Sequence, residues 1–188
     1  MTGGQPRISP LGDDELTDEA RSLLDLPLGG EETGGAHDFF KTLLRYPGLY
    51  RRFAPFAGKL LVAGKLPERD RELIILRGAW LCKAAFEWGE HVRIARSVGL
   101  TSAEIERVKA GSAAPGWSAR DFAVLSATEE LHDTANIGDE TWAMLAEIYD
   151  ERQLIELPFL VGAYQMIAYV QNALRVATPA GSAGLDAG

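Results

Sequence analysis

From Phe39 to Val176 the apolar residues recur at three- and four-residue steps, and nearly every such run is bounded by a residue that starts or stops a helix. A chain punctuated in this way has little room for a sheet. Phe39, Phe40, Leu43 and Leu44 form a run that ends before Pro47, whose ring disfavours the helical conformation of the residue preceding it. A second short helix is expected over 48–62. Pro67 then suits a first helical position, where its missing N–H is no loss, and it leads into PERDRELIILRGAWLCK with Leu73, Ile74, Leu76 and Trp80 on an apolar face. The run LIIL looks strand-like alone but lies inside this longer helical period. The next helix, AAFEWGEHVRIARSV, is expected to close at Gly99, a residue suited to a left-handed cap. Thr101 with Glu104 spells a capping box and starts a helix that ends near Gly111. Ser118 with Asp121, Asp139, and Asp150 with Gln153 mark three more starts. The last helix, about 151–176, is apolar nearly all round in FLVGAYQMIAYV, as expected of a helix buried in a core or against another subunit. The expected fold class is all-α, a single domain of eight or nine helices.

Composition agrees with a folded chain of this kind: 188 residues, 46% hydrophobic and 24% charged, are globular proportions and exclude disorder of the whole chain. The helical domain is expected over 36–177. Residues 1–35, with one helix-like island at 13–26 and the breaker run GGEETGG, read as a partly flexible arm, and residues 178–188 as a flexible tail. The most apolar stretch, 154–170, contains Glu156, Pro158 and Gln165 and falls short of the roughly 20 residues that span a bilayer. No leader or membrane segment is expected, and a soluble cytoplasmic protein is. The lone Cys82 cannot close a disulfide within the chain, which fits a reducing compartment.

The net charge of −8 argues against nucleic acid or an anionic membrane as partner. That total conceals a basic middle. Between Arg45 and Arg96 eleven Lys/Arg face five Asp/Glu, a balance of +6 that leaves −14 for the rest. Such a segment could attract a small anion, or its side chains could simply lie on solvated helix faces.

Chemistry-bearing residues gather in the same segment. Glu87 and His91 are four apart and share a helix face, with the small Ala84 on that face one turn earlier. Glu72 lies on the preceding helix, and an antiparallel hairpin could bring it opposite His91. An imidazole held between two carboxylates has its tautomer fixed and its basicity raised, which suits proton transfer. A solvated surface pair would give the same pattern. A metal site would need more ligands, and neither His37 nor His132 has a companion at ligand spacing, so no metal and no cofactor are expected. Trp88 beside the pair reads as a core residue.

The runs RELIILR, FEWGEHVRIA and GLTSAEI together resemble the carboxymuconolactone decarboxylase family, within the alkylhydroperoxidase D-like superfamily; the resemblance is close over about 45–112 and looser beyond. It implies an all-helical fold whose subunits associate as trimers, hexamers or dimers, with the active site near an interface. The peroxidase branch carries C-x-x-C-x-x-x-H with a glutamate twelve positions before the first cysteine. Those positions fall here on Ala84, Glu87, His91 and Glu72, so both thiols are absent while the proton-handling positions remain. Cys82 is two residues away from the first thiol position and has no second cysteine three residues on. The decarboxylase branch, which also lacks the cysteines, implies loss of carbon dioxide from a carboxylated butenolide lactone, leaving an extended enolate to be protonated. The resemblance implies His91 as proton donor, Glu87 orienting it, Glu72 guarding its protonation state, and Arg71 or Arg77 holding the substrate carboxylate, with Ala84 and Trp88 in the substrate-binding set. A small carboxylate or lactone is the expected partner. An alkylhydroperoxidase-like antioxidant using Cys82, and a non-catalytic oligomeric binding protein on the same fold, are the alternatives.

Overall fold

The computed structural model describes residues 5–26, 38–178 and 184–186. Among them are nine α-helices and no strand: α1 Asp18–Leu24, α2 Asp38–Leu43, α3 Pro47–Val62, α4 Glu68–Leu81, α5 Ala85–Ser97, α6 Ser102–Ala110, α7 Ala119–Thr134, α8 Asp139–Ile148 and α9 Glu151–Leu174. The all-α expectation holds, and most of the cap signals are where the sequence puts them. Thr101 accepts from the Glu104 N–H while Glu104 accepts from the Thr101 N–H, and Ser118 with Asp121 repeats the arrangement. Gly99 and Gly111 close α5 and α6 with φ of +94° and +85°. Pro67 caps α4 from just outside it rather than from its first turn. The breaker run GGEETGG lies outside the described residues, as does most of the tail.

Where the sequence suggests one domain over 36–177, the backbone groups into two compact units. One comprises Met1–Gly64 with Val170–Gly181, the other Lys65–Tyr169 with Ser182–Gly188. In the first, α1 and α2 pack on α3 around Phe39, Phe40, Leu44, Tyr50 and Ala54, all buried. The described part of the arm is pinned there. The Arg7 N–H donates to the Leu174 carbonyl, Arg45 Nε to the Ser9 carbonyl, and Lys41 pairs with Asp13 at 2.8 Å.

The second unit is organised by α4, which packs against α5, α6 and α7. A helix with neighbours on several sides cannot be amphipathic. Leu73, Ile74, Ile75 and Leu76 are all within 1% of complete burial, each contributing about 1.5–3 kcal/mol. Asp70, Arg71 and Glu72 are buried with them, and each is paired: Asp70 accepts from Arg120 Nε at 2.8 Å and from the Tyr149 hydroxyl at 2.6 Å. Lys83 turns the chain from α4 into α5 with φ +55°, the left-handed region, and the Ala84 N–H reaches back to the Ala79 carbonyl at 2.8 Å. From the tail, Gly184–Asp186 forms a 3₁₀ turn against α5.

By length and composition α9 alone among the described helices could cross a membrane, though a third of its apolar window is buried. Its first turns are tied within the second unit, where the Glu156 carboxylate accepts from the backbone N–H groups of Lys65 and Leu66.

Candidate active site

The α4–α5 hairpin brings Glu72 and His91 together. His91 Nδ1 lies 2.7 Å from Glu72 Oε2, and Arg71 Nε donates to Glu72 Oε1 at 2.9 Å. Glu72 is fully buried, and the side chains of His91 and Arg71 are 8% and 10% exposed. Burial alone would raise the Glu72 carboxyl, but the charges and hydrogen bonds of His91 and Arg71 outweigh it and hold it below the ordinary range. Glu72 is therefore an anion that can only accept, so His91 Nδ1 must be the donor. That fixes the tautomer and leaves Nε2 for other chemistry. Arg71 spends only Nε on this contact.

Glu87 behaves differently from its expected part in orienting His91. Both its carboxyl oxygens are buried without a hydrogen-bond partner, and the ring of His91 is oriented by Glu72 instead. Burial pushes the Glu87 carboxyl well above the ordinary range, which favours its neutral, protonated form. Ala84 is fully buried one turn earlier, at the N-cap of α5.

Two of the expected residues are engaged elsewhere. Arg77 Nε donates to Glu129 at 2.8 Å and Nη1 to the carbonyls of Val108 and Lys109, an anchor for α6 and α7 that closes over Gly111. Trp88 is completely buried with its ring 5.3 Å from that of Trp80, and the Lys109 ammonium lies over both rings. A residue outside the sequence-derived set joins the group: the Tyr164 ring meets His91 edge-on at 5.1 Å. Its hydroxyl is pushed well above the ordinary range by burial and by the nearby Glu72 and Glu87, so it remains protonated. Nothing in FLVGAYQMIAYV distinguishes Tyr164, which is buried, from Tyr169, which is exposed.

Cys82 caps α4, half-buried, with Sγ 3.9 Å from His132 Nδ1, a nitrogen that Gln165 Nε2 approaches at 2.9 Å. Burial, with Glu87 adding to it, pushes the thiol up to about 11, so very little of it is thiolate near neutral pH. Replacing Cys82 with Ser, which keeps the size of the side chain and removes only the thiol, should leave proton-transfer chemistry at His91 within about twofold of wild type. Turnover of the intact and substituted proteins measured side by side checks this, and a loss beyond tenfold contradicts it. Among the described residues no group of three or more His, Cys, Asp or Glu is arranged to hold a metal ion.

Residues 47–130 match the model of the carboxymuconolactone decarboxylase family. None of the curated proteins matches the chain. Several solved structures share the fold. An uncharacterized peroxidase-related protein from Silicibacter sp. TM1040 is 16% identical with a TM-score of 0.78, covering 97% of this chain and 96% of that one. The debrominase Bmp8, bound to 2,3,4-tribromopyrrole, is 16% identical with a TM-score of 0.77, covering 92% and 91%. A protein of unknown function from Agrobacterium tumefaciens, described as a candidate AhpD antioxidant defence protein, is 18% identical with a TM-score of 0.67, covering 73% and 94%. At these identities the likeness is one of fold.

Proposed function

We propose, from the match of residues 47–130 to the carboxymuconolactone decarboxylase family, that this chain is a cofactor-independent lyase that decarboxylates a small carboxylated lactone or related acid. The observation that carries the proposal is the buried Arg71–Glu72–His91 row, which offers a carboxylate anchor and a proton donor side by side. The Nη pair of Arg71 would hold the substrate carboxylate through a two-point contact. As the bond to that carboxylate breaks, its electron pair passes into the ring and forms an extended enolate. A protonated His91, its charge balanced by Glu72, delivers the Nε2 proton to the enolate carbon and is left as the neutral Nδ1–H tautomer. Solvent then restores the proton. The absence of thiols at positions 84 and 87 and the high thiol value at Cys82 favour this reading over peroxide reduction.

An NMR titration with a panel of carboxylated lactones and aromatic acids tests the anchor. Arg71→Met should weaken binding about tenfold or more, the size of one lost hydrogen bond to a charged group. Equal binding by both proteins, or no binding of any carboxylate, contradicts the proposal.

Self-association is also proposed, through the outer face of α9. Ile155, Phe159, Met166 and Tyr169 are 62%, 57%, 42% and 59% exposed, and the Cβ position of Gly162 at their midpoint meets nothing within 4 Å. Ile155 and Tyr169 lie seven residues to either side of Gly162, and Phe159 and Met166 three and four residues to either side, so the stripe is nearly symmetric about it. Two copies laid antiparallel would match Ile155 with Tyr169 and Phe159 with Met166, a surface complementary to itself. Sedimentation should show a larger species for the intact protein and a smaller one for Phe159→Glu; an unchanged mass contradicts it.

A further inference from the structure

Glu87 is the described residue least explained by the fold. Its two carboxyl oxygens have no partner, although leaving a buried polar group unsatisfied costs about 1–3 kcal/mol. It stands one turn before His91 on the same face of α5, about 5–6 Å away between Cβ atoms at that spacing. Tyr164, which touches the His91 ring, lies near enough for its hydroxyl to feel both Glu72 and Glu87. Ala84, one turn earlier, has no side chain long enough to reach Glu87 and satisfy it.

We propose that Glu87 receives an uncharged ring carbonyl of the substrate, donating a hydrogen bond to that oxygen as a neutral carboxylic acid and continuing to donate as the oxygen gains the enolate charge. This rests on the lyase reading of the same site. It divides the substrate between two unlike receptors: Arg71 takes the charged carboxylate, and Glu87 takes an oxygen that is neutral on arrival. The placement is chemically selective. A second carboxylate at Glu87 would bring a further negative charge into a buried setting where His91 and Arg71 are already paired with Glu72, whereas a ketone, lactone or enol oxygen needs only the acid proton. Because a hydrogen bond to an oxygen that becomes charged strengthens as the charge develops, the contact favours the transition state over the bound substrate. No electron or atom is transferred to Glu87 in the step, and its proton stays on the carboxyl. The ligand class is therefore a small keto- or lactone-carboxylate, and a dicarboxylate of the same length is disfavoured.

Three probes of equal chain length separate these features: 4-oxopentanoate carries a carboxylate and a ketone, pentanoate the carboxylate alone, and glutarate two carboxylates. Titration of the intact protein followed by NMR should rank 4-oxopentanoate about tenfold above both others, the equivalent of about 1.4 kcal/mol. The preference should persist in Glu87→Gln, whose amide still donates, and disappear in Glu87→Leu. Infrared difference spectra supply a reading independent of affinity. The carbonyl band of a protonated carboxyl, present in the wild type and missing from Glu87→Gln, should move to lower frequency with 4-oxopentanoate and stay in place with pentanoate. Equal ranking in wild type and Glu87→Leu, or an unmoved band in the 4-oxopentanoate complex, overturns the role of Glu87 while leaving Arg71 as anchor. Failure of all three probes to bind overturns the lyase reading and this inference with it.

Discussion

Replacing Glu87 with Gln should leave stability nearly unchanged near pH 4 and raise it increasingly as the pH climbs. The reason is the sign of the shift. A carboxyl whose folded value is raised by burial contributes fully below the ordinary glutamate value of about 4.3, where folded and unfolded chains both hold the proton. Above that value only the folded chain keeps it, so the contribution is lost progressively, by about 1.4 kcal/mol per pH unit, until the folded value is reached. Tyr164 from α9 and Cys82 from the end of α4 both feel the Glu87 charge and carry no positive charge themselves, and His91, one turn on, is paired with the Glu72 anion. Gln cannot titrate, so the difference between the two proteins isolates this one group. Urea unfolding of both, repeated from pH 4 to pH 9, should give curves that diverge and then run parallel. Curves parallel throughout would mean that Glu87 is not a buried neutral acid.

Glu72→Gln should act in the opposite sense and damage both stability and catalysis. Removing the charge leaves Arg71 buried without its counter-ion, a loss of about 3–5 kcal/mol for a buried pair at neutral pH. The Glu72 carboxyl is held low, so its contribution is present above the ordinary glutamate range and is lost as the pH falls through the folded value. The deficit of the variant should therefore shrink toward acid, where that of the Glu87 pair closes for the opposite reason. Turnover should fall on the order of a hundredfold or more, because the imidazole loses both its fixed tautomer and the anion that balances its protonated form. Activity within threefold of wild type at a temperature where the variant is folded would remove Glu72 from the proton-transfer machinery.

Helix starts were the most legible part of this sequence because caps are local chemistry. Thr101 and Glu104 satisfy each other's backbone within one turn whatever else the chain does. The Glu72–His91 contact was legible at one remove, as a hairpin that could place them opposite each other, and the 2.7 Å contact sits where that hairpin puts it. What spacing could not convey was how long side chains and lone polar groups are spent. Arg71 and Arg77 lie six residues apart on one helix and read alike, yet one joins Glu72 and the other crosses to Glu129 and two carbonyls of α6. That choice depends on where α6 and α7 pack against α4, a tertiary matter. Glu87 and His91 share a face as their spacing requires, but sharing a face did not make them partners. The deep Glu72 took the imidazole, leaving Glu87 buried and unpaired. Tyr164 could not be singled out because its value lies entirely in what it touches.

The central claim, that His91 protonates the carbon from which carbon dioxide departs, is tested most directly by turnover in deuterated water. Intact protein and His91→Ala would be incubated with a carboxylated butenolide lactone, following released carbon dioxide and, by NMR, the product carbon. The wild type should release carbon dioxide and place deuterium at that carbon in equal amounts, while the folded His91→Ala protein should lose turnover by about a hundredfold or more. Equal rates from the two proteins, or a wild type that releases no carbon dioxide from any lactone of the panel, would contradict it.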